Sequence, residues 1–376
     1  MKKIILAIAA LALIASPAMA VDWNFYGSAR VATYYIDNGD ADSLFAPNPG
    51  ANAGVDQPIG IDDEGVQWEL ADNTRLGARV KAESISGRFE FATSHSDSHD
   101  GPVSTRLLYG DWDFGAASLR VGKSYTPTSQ FISGQGYAED LGLLGVGTNY
   151  GRRVGGLQLM FGGFTVALLE PNTTNGDAYG TFIGGDVDAY LPKIEAGWGM
   201  TMDTWNFNLM GGFQTVEVED VGPDEEDIDI NSWIIGADVG FNFGPAYIKA
   251  AGSYGENWTQ ARWSDLGWVN DTFAGGVWDL DDDVDDSENW QAALVGGFKF
   301  TDQLTFEVGG GYRSADSDVN GTDEDEAWAV YGQAVITLAP GVFLVPEVGY
   351  FDFEDGVDGS DAGDSFYAGA KWQIDF

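Results

Sequence analysis

The chain has 376 residues, with 18 Lys and Arg against 59 Asp and Glu, a formal charge of -41 and no cysteine. That charge excludes a nucleic-acid binder, and the absence of cysteine excludes a disulfide framework and any thiolate metal site. A content of 44% hydrophobic and 13% aromatic residues argues for a folded chain over a disordered one.

The first residues, "MKKIILAIAALALIASPAMA", place Lys2 and Lys3 ahead of an apolar core from Ile4 to Ile14 and end on Ala18-Met19-Ala20. This is the pattern of a cleaved export signal, so residues 1–20 are expected to be removed, leaving residues 21–376 as a single domain. No later run is long and apolar enough for a membrane-spanning helix. What recurs is about ten alternating residues closed by a turn or an acidic loop, the rhythm of an outer-membrane β-barrel.

In chain order the alternation predicts strands at Trp23 to Tyr35, Gln67 to Ala82, Gly87 to Thr93, Val103 to Trp112, Ala117 to Lys123 and Arg152 to Met160. It continues at Phe164 to Leu169, Val187 to Met202, Trp205 to Val218, Ser232 to Phe243, Tyr247 to Trp258 and Asn289 to Phe300. The last four are Leu304 to Ser314, Glu326 to Leu338, Val342 to Phe353 and Ser365 to Phe376, a total of sixteen antiparallel strands. Splitting the segment at Pro192 would place the acidic loop "EDVGPDEEDIDI" among the short periplasmic turns, so that segment counts once. At sixteen strands an aqueous channel remains inside the barrel.

Ten basic residues lie between Val21 and Arg153: Arg30, Arg75, Arg79, Lys81, Arg88, Arg106, Arg120, Lys123, Arg152 and Arg153. In "TRLGARVKA" the cations Arg75, Arg79 and Lys81 alternate with Leu76, Ala78, Val80 and Ala82. A cation on the lipid side near mid-membrane costs on the order of 2 to 4 kcal/mol, so these three are expected to face a wet interior. Arg30, Arg88, Arg106, Arg120 and Lys123 are candidates for the same lining or for rim and structural roles, Arg88 pairing with Glu90 on its own face. Arg120 and Lys123 have opposite parity, so one of them needs a bulge or a different job.

The connection "TPTSQFISGQGYAEDLGLLGVGTNY" is too apolar for a solvated loop, with Phe131, Ile132, Tyr137, Leu141, Leu143 and Leu144. It is expected to fold into the lumen, the alternative being a seat on the rim or a neighbouring subunit. Inside, Glu139 and Asp140 would face the cationic wall across a constriction.

The signal segment, "TRLGARVKA", "VGKSYTP" at Val121, "LPKIEAGW" at Leu191 and the terminal "KWQIDF" together resemble the Gram-negative general porins, trimers of sixteen-stranded barrels, including those of sulfate-reducing bacteria. The resemblance implies a constriction loop starting near Thr126 and a trimer interface on the outward side of the early strands. Lys123 stands where that family commonly has Arg. The resemblance further implies that the last strand, with Trp372, Ile374 and Phe376 on one face, is read by the outer-membrane assembly machinery. Lipids and lipopolysaccharide are the expected surroundings.

The remaining acid falls on loops assigned to the outside. Asp279, Asp281 and Asp283 open like an EF-hand, but Val284 and Trp290 stand where Gly and Glu are needed. Ca²⁺ or Mg²⁺ bridging is one reading of these loops, and a solvated charged rim is the other. His95 and His99 sit in "SHSDSHDG" at a hairpin tip, without the buried orienting shell that catalysis needs, so no enzymatic site is expected. The expected function is passive diffusion of small hydrophilic solutes and ions. The alternatives are a selective anion channel for sulfate- or phosphate-like solutes, or a surface adhesion protein that uses its acidic loops.

Overall fold

The computed structural model describes residues 21–38, 64–71, 73–93, 103–173, 187–221, 226–263, 277–278, 284–317, 324–354 and 363–376. The signal segment, His95, His99, Asp279, Asp281 and Asp283 lie outside the described residues.

Sixteen antiparallel strands close into one barrel. They are β1 (Asp22–Asp37), β2 (Glu64–Leu70, resuming as Arg75–Ala82), β3 (Ile85–Thr93), β4 (Val103–Asp113), β5 (Ser118–Tyr125) and β6 (Arg153–Phe161). Next come β7 (Phe164–Leu169), β8 (Val187–Asp188, resuming as Lys193–Thr201), β9 (Trp205–Val221), β10 (Glu226–Phe243) and β11 (Ala246–Glu256). The chain ends with β12 (Ser287–Thr301), β13 (Leu304–Ser317), β14 (Asp325–Ala339), β15 (Val342–Asp352) and β16 (Asp364–Asp375). Each pairs with its neighbours in sequence, and β1 closes the ring against β16 from Ser28↔Asp375 to Asp37↔Phe366. Closure joins the two end strands, so backbone groups find partners across the ring where no water can supply them.

Two strands are interrupted without leaving the sheet. In β8 the break falls before Pro192's neighbour Lys193, yet Val187 pairs with Val218 and Lys193 with Leu169, so both pieces occupy one slot between β7 and β9. A proline cannot donate to the ladder, which fits its place in the gap. In β2 the break is bridged by Thr74, whose Oγ1 accepts from Arg30 N at 3.0 Å and donates to Arg30 O at 3.1 Å. That substitution for a ladder pair leaves Asn73 free to reach the lumen.

The outward face is apolar and carries two aromatic belts. Near the short turns, Trp23 stacks on Phe25, Phe161 on Phe164 and Phe241 on Phe243. Near the long loops, Trp233 meets Tyr254, Trp290 meets Tyr312 and Trp328 meets Tyr350. The β6–β7 turn is Gly162-Gly163, at φ 55° and 84°. Both positions lie in the left-handed region that such a two-residue turn requires and that glycine enters without strain. The buried apolar core lies inside the barrel, where Ile132, Tyr137, Leu141, Leu143, Leu144 and Val146 of the β5–β6 connection pack on wall residues such as Tyr34, Val295, Ala329, Tyr331 and Tyr367.

Candidate functional site

Strands β1 to β5 carry the cations inward, row by row. Asn24, Arg79 and Arg88 share one register row, and Tyr26, Gly77 and Glu90 share the next. Glu90, 1% exposed, sits amid the guanidiniums: Arg88 Nη2 at 2.7 Å, Arg106 Nε at 2.9 Å and Arg75 Nη1 at 3.6 Å. Tyr26 donates its hydroxyl to Glu90 at 2.8 Å and accepts from Arg88 Nε at 2.8 Å. Further along, Asp111 takes Arg120 in a two-point contact at 2.8 and 3.1 Å. Tyrosine rings support the cations from beneath, Tyr26 under Arg79 and Arg88, Tyr109 under Arg120 at 3.9 Å, and Tyr125 under Arg153. Arg79 and Lys81 are exposed on this inward face.

The parity conflict is resolved by the register. Between Glu90 and Phe91 the β3–β4 pairing shifts, so Arg106 and Leu107 both stand opposite Glu90. This β-bulge turns Arg106 to the inward side, from which strict alternation with Tyr109 and Asp111 would have removed it. Arg120 faces inward, paired with Asp111 and Gln158. Lys123 stands opposite Leu108 and Gly155, and Gly122 beside it, at φ 126°, interrupts the alternation that would set it on the face opposite Arg120. Leu108 is 57% exposed in that row.

The β5–β6 connection touches inward-facing wall residues along its course. Thr128 N and Oγ1 donate to Glu195, Gln130 donates to the carbonyls of Ala237 and Gly252, and Lys249 Nζ donates to Ile132 O. Gly134 N donates to Glu307 at 2.7 Å, and Gly136 N and Tyr137 N donate to Glu347 at 2.6 and 3.1 Å. The Tyr137 ring stacks on Tyr367 at 3.7 Å. At the far end a single turn, α1 (Tyr137–Asp140), holds Ala138, Glu139 and Asp140 at φ 46°, 67° and 62°. Three non-glycine residues in the left-handed region cost about 1–2 kcal/mol each, a strain that only strong local contacts sustain.

Those contacts are ionic. Asp140 pairs with Arg30 and with Lys371, and Asn73 Nδ2 also donates to it. Glu139 accepts from Asn73 N at 3.0 Å, and its carbonyl accepts from Asn73 Nδ2 at 2.8 Å. Burial alone would raise the Asp140 carboxyl, but Lys371 and Arg30 together hold it below its ordinary value. The acids therefore do not stand across an open gap from every cation. They dock on the wall at β1, β2 and β16.

A second inward fold has no clear signal in the sequence. After β11, Trp258–Ala261 (α2) and Trp263 lie buried against the inner wall. Trp263 Nε1 donates to Glu195 at 2.9 Å, Lys193 Nζ donates to Ala261 O at 2.9 Å, and Lys193 pairs with Glu195 at 3.2 Å. Tyr150 N donates to Trp263 O, joining the two inward loops. The only hint is the apolar pair Trp258 and Trp263 in an otherwise polar stretch.

A closed sixteen-strand barrel, apolar outside and charged inside, with chain packed within its bore, defines a transmembrane channel. The chain belongs to the Gram-negative porin family, whose model matches residues 7–356. It is accordingly an outer-membrane protein that passes solutes by passive diffusion. Among solved structures it is similar to the outer membrane channel DcaP of Acinetobacter baumannii, at 15% identity over 95% of this chain and 97% of that one, with a TM-score of 0.72. The anion-selective porin from Comamonas acidovorans shares 13% identity over 95% and 100% of the two chains, with a TM-score of 0.58. OmpT of Vibrio cholerae shares 13% over 95% and 99%, with a TM-score of 0.55. These likenesses concern the fold. No curated protein matches the sequence.

Proposed function

We propose that solutes cross through the gap between the β5–β6 loop and the cationic wall, and that this gap favours small anions. The observation that carries this reading is the docking of Asp140 on Arg30 and Lys371. Its charge is spent there, so it does not offset Arg79 and Lys81, which stay exposed on the inward face. Glu90 and Asp111 answer only part of the charge of Arg75, Arg88, Arg106 and Arg120. A narrow, low-dielectric passage with a positive balance concentrates anions, and salt screens that preference. Reversal potentials under a KCl gradient test it. A chloride-selective sign is expected, and a potassium-selective sign would overturn the anion reading while leaving the channel intact.

The same chain is proposed to work as a trimer whose contact face lies on the early strands. One solved OmpT of Vibrio cholerae is a trimer form. Divalent cations at Asp279, Asp281 and Asp283, lipopolysaccharide contacts and recognition of Phe376 by the assembly machinery complete the proposal. Calcium titration, lipid copurification and surface levels of a chain lacking Phe376 test each in turn.

A further inference from the structure

Where the β5–β6 loop leaves the wall and returns to it, three rings converge. Phe131 meets Tyr125 edge-on at 5.1 Å and Tyr150 at 6.3 Å, and Tyr125 meets Tyr150 at 6.5 Å. Phe131 is 55% exposed, although the residues on either side of it, Gln130 and Ile132, are buried. A large apolar ring held open to water in the bore, in a loop that buries its other apolar side chains, has no packing role that accounts for it. Two guanidiniums flank the cluster. Arg106 Nη2 donates to the Tyr125 hydroxyl at 3.2 Å, and Arg153 lies over the Tyr125 ring at 5.6 Å. Arg106 is answered by Glu90, whereas Arg153 rests on the ring.

We infer that this cluster is a subsite for small aromatic carboxylates, the ring of the solute lying on Phe131 and its carboxylate directed to Arg153. An exposed aromatic face gains from stacking a second ring, and a guanidinium offers a planar fork that matches a carboxylate. A hydrated inorganic anion would use the arginine and gain nothing from Phe131. An uncharged aromatic solute would use Phe131 and gain nothing from the arginine. Only a solute with both groups uses the whole cluster. Tyr150 and Tyr125 hold Phe131 in place, so the platform is rigid before the solute arrives. The inference rests on the channel reading.

The test is inhibition of KCl current through the purified full chain in a planar bilayer by benzoate, cyclohexanecarboxylate and acetate. Benzoate is expected to reduce the current saturably, with a half-effect concentration at least tenfold below that of cyclohexanecarboxylate. Phe131→Leu should remove that tenfold difference and Phe131→Trp should keep it, which separates loss of the ring from loss of the fold. Arg153→Gln should weaken benzoate and leave benzyl alcohol, an uncharged probe, unchanged. Equal half-effects for benzoate and cyclohexanecarboxylate, or a difference that survives Phe131→Leu, would overturn the subsite. Absence of any KCl current would instead overturn the channel reading.

Discussion

Phe376, the last residue, exchanges both backbone hydrogen bonds with Gly27, at 2.7 Å from Gly27 N to Phe376 O and at 3.0 Å in return. Its ring lies so close over Gly27 that a Cβ there would stand 2.5 Å from two ring carbons. The chain end is therefore the seam of the barrel. Gly27→Val is expected to push the ring off the seam, at a cost of about 1–3 kcal/mol typical of overpacking. Heat-modifiable gel migration should show the variant unfolding at a lower temperature than the wild type. An unchanged transition would mean that the ring moves aside freely.

Glu90 gathers Arg75, Arg88 and Arg106 around one buried carboxylate. Replacing it with glutamine leaves three like charges facing each other with no counterion. Loss of a buried partner costs about 3–5 kcal/mol, and the partly wet guanidiniums place this case at the lower end. Glu90→Gln should lower the denaturant midpoint and shift the reversal potential further toward chloride. A more cation-selective variant would contradict the assignment of this wall to the passage.

The Asp140 latch gives a pH dependence with a definite sign. Its carboxyl is held below the ordinary value of about 3.9, so the latch contributes fully above that pH and is lost as pH falls through the lowered value. The strained turn at Ala138 to Asp140 should then release. Wild-type channels should therefore conduct steadily at pH 7 and show current fluctuations only well below pH 4. Asp140→Asn should show these fluctuations already at pH 7. Quiet currents in that variant would show that Glu139, Asn73 and Tyr137 suffice to hold the loop.

Leu108 tests the subunit face. Leu76 and Leu108 are each 57% exposed on the outward side of the early strands. Leu108→Glu puts an acid on that side and should shift the trimer toward monomer in detergent, read by light scattering. A wild-type chain that is already monomeric would refute the covered face.

Much of the barrel is written locally. Strand count and the inward set Arg75, Arg79 and Lys81 follow from period-two alternation, because one face must satisfy lipid and the other water. The apolar content of residues 126–150 likewise marks a loop that needs a wall to bury it. The inward turn of Arg106 was not legible in this way. A bulge of one residue reverses parity, and whether it falls in β4 or β5 depends on which neighbour the ladder selects.

The sequence by itself determined a closed, sixteen-strand barrel with a cationic early wall, because each of those features is set by neighbours two residues apart or by bulk charge. Only the tertiary structure decided where the charge is spent. Asp140 meets Lys371 across 231 positions of chain and Arg30 across 110. Glu90 meets three arginines from three strands, and Trp263 meets Glu195. Apart from Arg88 and Glu90, which share a face of β3, these pairs form between residues that only the assembled wall brings together, so no local pattern records them.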